Sequence, residues 1–212
     1  MFNAIFRDRE HAAAELATEL ASLDLPRDTA VLGLARGGVP VSRELADRLE
    51  LDHDVFVVRK LGVPYQPELA FGAIATGDTR VLNEDVLRTA GISQHTIQQV
   101  IDTERRLLNQ RESAYRRGRP ALDLTGRTVV LVDDGMATGA TMAVAVEAIR
   151  QREPTAVIVA VPVASRRARQ RLSPRVEELI CLATPEPFLG VGAWYEDFSQ
   201  TSDDDVRTLL EE

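Results

Sequence analysis

Cysteine is nearly missing from this 212-residue chain: Cys181 is the only one. No disulfide can form within a single chain, and the apolar setting VEELICLAT suits a small buried hydrophobe better than a nucleophile. Positive charge is also in short supply, with 25 Lys and Arg against 33 Asp and Glu and a net charge of −8. Because nucleic-acid affinity comes mostly from neutralising phosphates, this balance argues against DNA or RNA as the main partner. No apolar run approaches the roughly 20 residues that a membrane span requires, and residues 1–10 lack the pattern of a signal peptide. The expectation is a cytoplasmic protein without a membrane partner. His11, His53 and His95 are dispersed and show no metal-ligand spacing. There is no internal repeat and no low-complexity tract, and the length suits one α/β domain with a sizeable core.

The most informative stretch present is VVLVDDGMATGAT, residues 129–141. Val129 to Val132 are aliphatic without alternation, the pattern of a parallel strand buried on both faces. Asp133 and Asp134 therefore emerge at its carboxyl end, where open α/β sheets bind ligands. Ala137, Thr138, Gly139, Ala140 and Thr141 lack bulk that would keep a ligand from the backbone, and a helical run follows from Met142 to Arg152. Backbone N–H groups at a helix N-terminus, with two threonine hydroxyls, form an anion cradle suited to phosphate. A plainer account is a Thr/Gly-rich helix cap after solvated acids, but capping alone does not ask for paired acids, a glycine and two threonines together.

Around this stretch the pattern alternates. A helix is expected over His11 to Leu23, a strand over Ala30 to Ala35 broken at Arg36-Gly37-Gly38, and a helix over Val41 to Leu49. Strands follow at Asp54 to Arg59 and, after a loop bracketed by Pro64 and Pro67, at Phe71 to Ala75. A short helix from Glu84 to Gly91 and a long polar helix from His95 to Arg117, capped by Ser93, read as an insertion. Beyond the signature come the strand Ala156 to Val163, a basic helix Arg166 to Leu172, the strand Val176 to Ala183, and a last helix capped by Asp203 to Asp205. The arginines at 166, 167, 169 and 171 read as a solvated face or subunit contact rather than a nucleic-acid patch.

The 129–141 stretch closely resembles the 5-phosphoribosyl-1-pyrophosphate (PRPP) signature of the type I phosphoribosyltransferases, in which two acids precede a T-G-x-T phosphate loop. The resemblance implies an α/β fold: a doubly wound, mostly parallel sheet with helices on both faces, in a single domain over 1–212. The resemblance covers about Ala30 to Ala183; the helical segment at about 84–119 lies outside it and is expected as an insertion, and residues from about 184 to 212 are expected as a small C-terminal hood. The resemblance implies that Asp133 and Asp134 hold the ribose hydroxyls, directly or through a metal, and that Ala137 to Thr141 hold the 5-phosphate. The glycine turn of LGLARGGV would suit an anion or merely a tight strand-to-helix turn. It lies where this family keeps its pyrophosphate loop, which implies Ala35, Arg36, Gly37 and Gly38 around the diphosphate. Several relatives hold a non-proline cis peptide there.

Further roles follow from the same resemblance. Family enzymes commonly carry a basic residue at the end of the second strand and a mobile loop that closes over the site, which points to Lys60 and to Glu68 in the loop Leu61 to Ala70. The plain alternatives are a strand-end surface charge and a solvated loop acid. FLGVGAWYEDFSQ, residues 188–200, is comparable to the hood of 6-oxopurine phosphoribosyltransferases, which implies Phe188, Trp194 and Tyr195 beside the base and Asp197 beside the diphosphate metal; a hydrophobic clasp for the C-terminus explains it equally well. Any metal is expected to be Mg²⁺ carried in with the diphosphate, with Asp133, Asp134 and Asp197 as candidate ligands.

The 6-oxopurine enzymes usually have an acid at the position of Ala137 and a lysine just after the following strand, where this chain has Ala164 and Ser165, so hypoxanthine and guanine are disfavoured. The pattern is closer to adenine phosphoribosyltransferases, whose acid/base group comes from the mobile loop. Gly135 departs from the aliphatic residue usual in the family. The expected activity is transfer of a phosphoribosyl group from Mg-PRPP to a nucleobase-like acceptor. The alternative is a PRPP or ribose-phosphate sensor of the same fold, and a homodimer is left open.

Overall fold

The computed structural model describes residues 4–211, and the side chains of Pro67 and Glu68 lie outside what is described. Five parallel strands form the central sheet in the order β2-β1-β6-β7-β8: β1 Ala30–Leu34, β2 Asp52–Phe56, β6 Thr128–Val132, β7 Ala156–Val163 and β8 Glu178–Ala183. β1 and β6 are buried along their whole length, as unalternating aliphatic strands require when both faces are covered. One face is covered by α1 (Arg9–Leu20) and α2 (Gly38–Leu49), where Leu16, Leu20 and Leu45 meet Val31, Val130 and Val132. The other is covered by α5 (Ala140–Arg150) and α6 (Arg166–Leu172), where Met142, Val146 and Leu172 meet Leu32, Leu131 and Val159. The sheet is the expected doubly wound one, and its direction of winding reverses between β1 and β6. Two loops therefore diverge at that crevice, one after each strand.

The stretch expected as one strand from Asp54 to Arg59 serves two sheets. β2 ends at Phe56, and the chain crosses at buried Val57, whose N–H donates to Thr76 Oγ1 at 2.9 Å while Thr76 N–H donates back to Val57 O at 2.9 Å. β3 (Val58–Val63), β4 (Gln66–Ala75) and β5 (Thr79–Leu82) then form a separate antiparallel sheet. The expected mobile loop Leu61 to Ala70 is thus a β-hairpin with a tight turn at Pro64 and Tyr65, and Phe71 to Ala75 belongs to that sheet rather than the parallel one. Pro64 marks the turn, and the alternation of buried Leu61, Val63 and Phe71 supplies the hairpin's inward face.

The segment 84–119 folds as α3 (Glu84–Ala90), closed by Gly91 at φ +60°, and α4 (Gln94–Arg116), capped by Ser93 Oγ accepting from Thr96 N–H. Ile97, Ile101, Leu108 and Tyr115 form one stripe of α4, packed with Leu61, Phe71 and Ile74 of the hairpin sheet and with Val206 and Leu210 of α7 (Asp203–Glu211). Arg116 closes the helix onto the main sheet: its guanidinium meets Asp54 at 3.1 Å and Glu112 at 2.9 Å and donates to Val55 O at 2.7 Å. The four arginines of α6 are exposed, as expected of a solvated face. Cys181 is half-buried, and burial raises its thiol pKa, which suits the hydrophobe reading. Among the described residues, no helix is long and apolar enough to cross a membrane.

Candidate functional site

The crevice between β1 and β6 brings together the two loops singled out in the sequence. After β1, Ala35 N–H donates to Phe56 O at 3.1 Å, the Ala35–Arg36 peptide is cis, and Val39 N–H donates to Arg36 O at 3.1 Å as α2 begins. After β6 come Asp133 and Asp134. The contact between the loops is close enough to demand glycine twice. A Cβ on Gly37 would stand 2.1 Å from Asp134 Oδ2, and one on Gly38 would stand 2.5 Å from Val132 O and 2.9 Å from Asp133 Cα. Arg36 pairs with Asp203 at 3.9 Å.

The second loop continues from Met136, whose N–H donates to Val163 O at 2.9 Å, into the exposed Ala137 and Thr138 and then Gly139 at φ +66°, the N-cap of α5. Thr138 Oγ1 accepts from Ala140 N–H at 3.3 Å and Ala143 N–H donates to Gly139 O at 2.9 Å, which winds the first turn of the helix. Thr141 is exposed on that turn. Ser165 supports the loop from behind, donating Oγ–H to Ala137 O at 2.6 Å and capping α6. A Cβ on Gly139 would meet Leu172 Cδ2 at 2.8 Å and Ala168 Cβ at 3.3 Å, so its missing side chain makes room for α6. Gly135 is explained in the same way: its missing side chain leaves space for Val191 Cγ1, 2.5 Å from where a Cβ would stand, and for Val163.

Electrostatically the acid pair is poised. Burial, then the charge of Asp134, raises the Asp133 carboxyl well above the usual range, and Asp134 N–H donates to Asp133 Oδ1 at 2.9 Å. Burial also raises Asp134, while Arg9 opposes that shift. Arg9 gives no signal in the sequence beyond following the helix cap Asp8, because its partners lie far along the chain. Its Nε and one terminal NH₂ group donate to Asp134 Oδ2 at 3.0 and 2.8 Å, and its other NH₂ donates to Ser199 O at 2.8 Å. The guanidinium carbon lies 4.1 Å from the centre of the Phe198 ring.

The hood is built differently from the expectation. Trp194 and Tyr195 are each only 5% exposed and pack with Phe6, Ala12 and Val163, so neither offers a face for stacking on a base. Tyr195 O–H donates to the Asp134 carbonyl at 2.7 Å instead, and Phe188 is half-buried against the same cluster. Asp197 is exposed, its Oδ1 accepting from Ser199 N–H at 2.9 Å and its N–H donating to Arg7 O at 2.8 Å. Among the described residues no group of three or more His, Cys, Asp or Glu side chains could hold a metal, so Asp133, Asp134 and Asp197 do not form a three-carboxylate set. Lys60, the sole lysine of the sequence, is exposed on β3 and lines a groove of 470 Å³ with Ala140 and Thr141 of the α5 N-terminus. Glu68 belongs to β4 by its backbone, and its side chain lies outside the described residues.

The crystal structure of TT1426 from Thermus thermophilus is 46% identical, superposes with a TM-score of 0.87 and is covered over 97% of both chains. Curated relatives from two strains of Mycobacterium tuberculosis, named as candidate phosphoribosyl transferases, are 45% identical over 207 residues, which is 98% of this chain and 46% of theirs. The chain thus spans about half the length of these relatives. A Neisseria gonorrhoeae protein solved with bound ppGpp shares the fold alone, at 14% identity and a TM-score of 0.53 over 99% of this chain and 98% of its own. The family model of the phosphoribosyl transferase domain matches residues 3–184, and the chain belongs to that family.

Proposed function

We propose that the protein transfers the 5-phosphoribosyl group of Mg-PRPP to a nucleobase-like acceptor and releases pyrophosphate. The observation that carries this reading is the convergence of the two loops on one acid pair, close enough that Gly37 and Gly38 admit no side chain. In this assignment residues 137–141 take the 5-phosphate through the N-terminus of α5, Asp133 and Asp134 accept from the ribose hydroxyls, and residues 35–38 take the diphosphate. An acceptor nitrogen attacks C1′, the bond from C1′ to the diphosphate oxygen breaks, and the acceptor loses a proton. Lys60 adds positive charge beside the phosphate loop. Ala137 carries no acid, so Glu68 is the group we assign to the proton.

The donor set fits a metal that arrives with substrate better than a resident one. Arg9 already engages Asp134 Oδ2, which leaves Asp133 as the carboxylate to meet a Mg²⁺ otherwise held by phosphates and water. Such an ion would neutralise charge on the departing diphosphate. The test is to mix the protein, Mg²⁺ and PRPP with a panel of nucleobases and follow pyrophosphate release. Turnover with any base supports the transferase. The burial of Trp194 and Tyr195, which removes the expected aromatic platform, favours a second reading as a PRPP or ribose-phosphate sensor. Tight PRPP binding with no turnover across the panel would select it.

A further inference from the structure

Arg9 enters the site from the opposite end of the chain, and its setting is that of a built part rather than a surface charge. Its side chain is 12% exposed, against 13% for Asp134. Four restraints fix it: two N–H groups on the single oxygen Asp134 Oδ2, one on Ser199 O, and the Phe198 ring beneath the guanidinium. The backbone that carries it is fixed as well. Asp8 caps α1 by accepting from His11 N–H at 2.8 Å, and Asp197 N–H donates to Arg7 O at 2.8 Å. Asp134 is held from its other end, where Tyr195 O–H donates to its carbonyl at 2.7 Å. A carboxylate clamped in this way cannot rotate about its χ angles to suit an incoming ligand, so its orientation is set before binding.

We infer that Arg9 is a positioning residue that locks the Asp134 carboxylate in the orientation that reads the ribose diol. The inference rests on the proposed assignment of Asp133 and Asp134 to that diol, and it assigns to the N-terminal helix a part in sugar selection. Arg9 itself touches no substrate in this scheme. A lysine at position 9 would keep the charge but not the planar fork that bonds Asp134 and Ser199 at once.

The experiment compares ribose 5-phosphate with 2-deoxyribose 5-phosphate by titration calorimetry, using the full chain and the variants Arg9→Ala and Arg9→Lys. Wild type is expected to prefer the ribose ligand by about tenfold or more, the loss of one charge-assisted hydrogen bond. Arg9→Ala should lower that preference to within about twofold by weakening the ribose ligand, with the deoxy ligand held as before by the 137–141 loop. Arg9→Lys should fall between. A general loss of packing would weaken both ligands equally and overturn the positioning role. Full preference retained in Arg9→Ala would overturn it as well, and should that variant not fold, full preference retained in Arg9→Lys would do so. Absence of any preference in wild type would instead bring down the diol assignment, and the Arg9 role with it.

Discussion

At the scale of single residues, the acid pair sets burial against charge. Asp133 is raised by burial and by its neighbour, so its folded pKa stands above its unfolded one. The sign follows: stability from this group is present below the unfolded carboxylate range and is lost as pH rises through the raised folded value. Replacing both Asp133 and Asp134 with Asn should therefore weaken Mg-PRPP binding by roughly 1.5–3 kcal/mol or more, while thermal melts show a ligand-free protein whose stability no longer declines between acid and neutral pH on account of Asp133. Unchanged calorimetric affinity in the folded double variant would remove the pair from the site. Gly37 gives a second prediction. Its absent Cβ lies 2.1 Å from Asp134 Oδ2, so Gly37→Ala displaces the Asp134 carboxylate as well as the turn around it. Affinities for pyrophosphate and for ribose 5-phosphate should both fall, each by about tenfold, and a loss confined to pyrophosphate would show that the turn and the acid act separately.

At the scale of elements, legibility follows how local the determining contacts are. The signature strand and its loop are readable because Val129 to Val132, the acids and the loop residues are consecutive, and the cap of α4 is readable because Ser93 serves its own helix. The break at Val57 is not. Nothing in an aliphatic run says where one sheet ends and another begins when the decision rests on Thr76, which is 19 residues away. Trp194 and Tyr195 mislead for a related reason, since an aromatic cluster looks the same in sequence whether it faces a ligand or Phe6. Arg9 is hidden because its partner Asp134 is 125 residues distant. The helical segment 84–119 is likewise secured by a remote pair, Arg116 with Asp54, whose side chains are 7% and 8% exposed. Arg116→Ala leaves that carboxylate buried without its cation, so chemical denaturation should register a loss of about 3–5 kcal/mol. A loss below about 1 kcal/mol would mean that Glu112 and the α4 stripe hold the helix without it.

Across the whole molecule, pH acts through groups of opposite sign. His53, whose Nε2 lies 2.8 Å from Ser42 Oγ, is lowered from 6.5 to about 3 by burial first and then by Arg43 and Arg119. Its folded pKa is below its unfolded one, so the unfolded chain takes up a proton that the native protein refuses. Stability is complete above about pH 6.5 and is lost as pH falls toward about 3, at about 1.4 kcal/mol per unit once well below the unfolded value. Asp133 pulls in the other direction over the acid range. Urea unfolding of His53→Gln at about pH 7, 6 and 5 should show a profile flatter than wild type by about 2 kcal/mol in total across that range, and parallel curves would place the acid sensitivity elsewhere.

The clasp between the first residues and the hood has a temporal consequence. Ile5 and Phe6 N–H groups donate to Trp194 O, Glu196 N–H donates to Phe6 O, and Arg9 reaches both Asp134 and Ser199. During synthesis on a ribosome, the sheet through β7 can assemble while Arg9 still waits for a shelf 190 residues downstream. A nascent chain would thus carry residues 137–141 and both acids well before Arg9 could orient Asp134, and that carboxylate would be fixed only as the segment around Phe198 clears the exit tunnel.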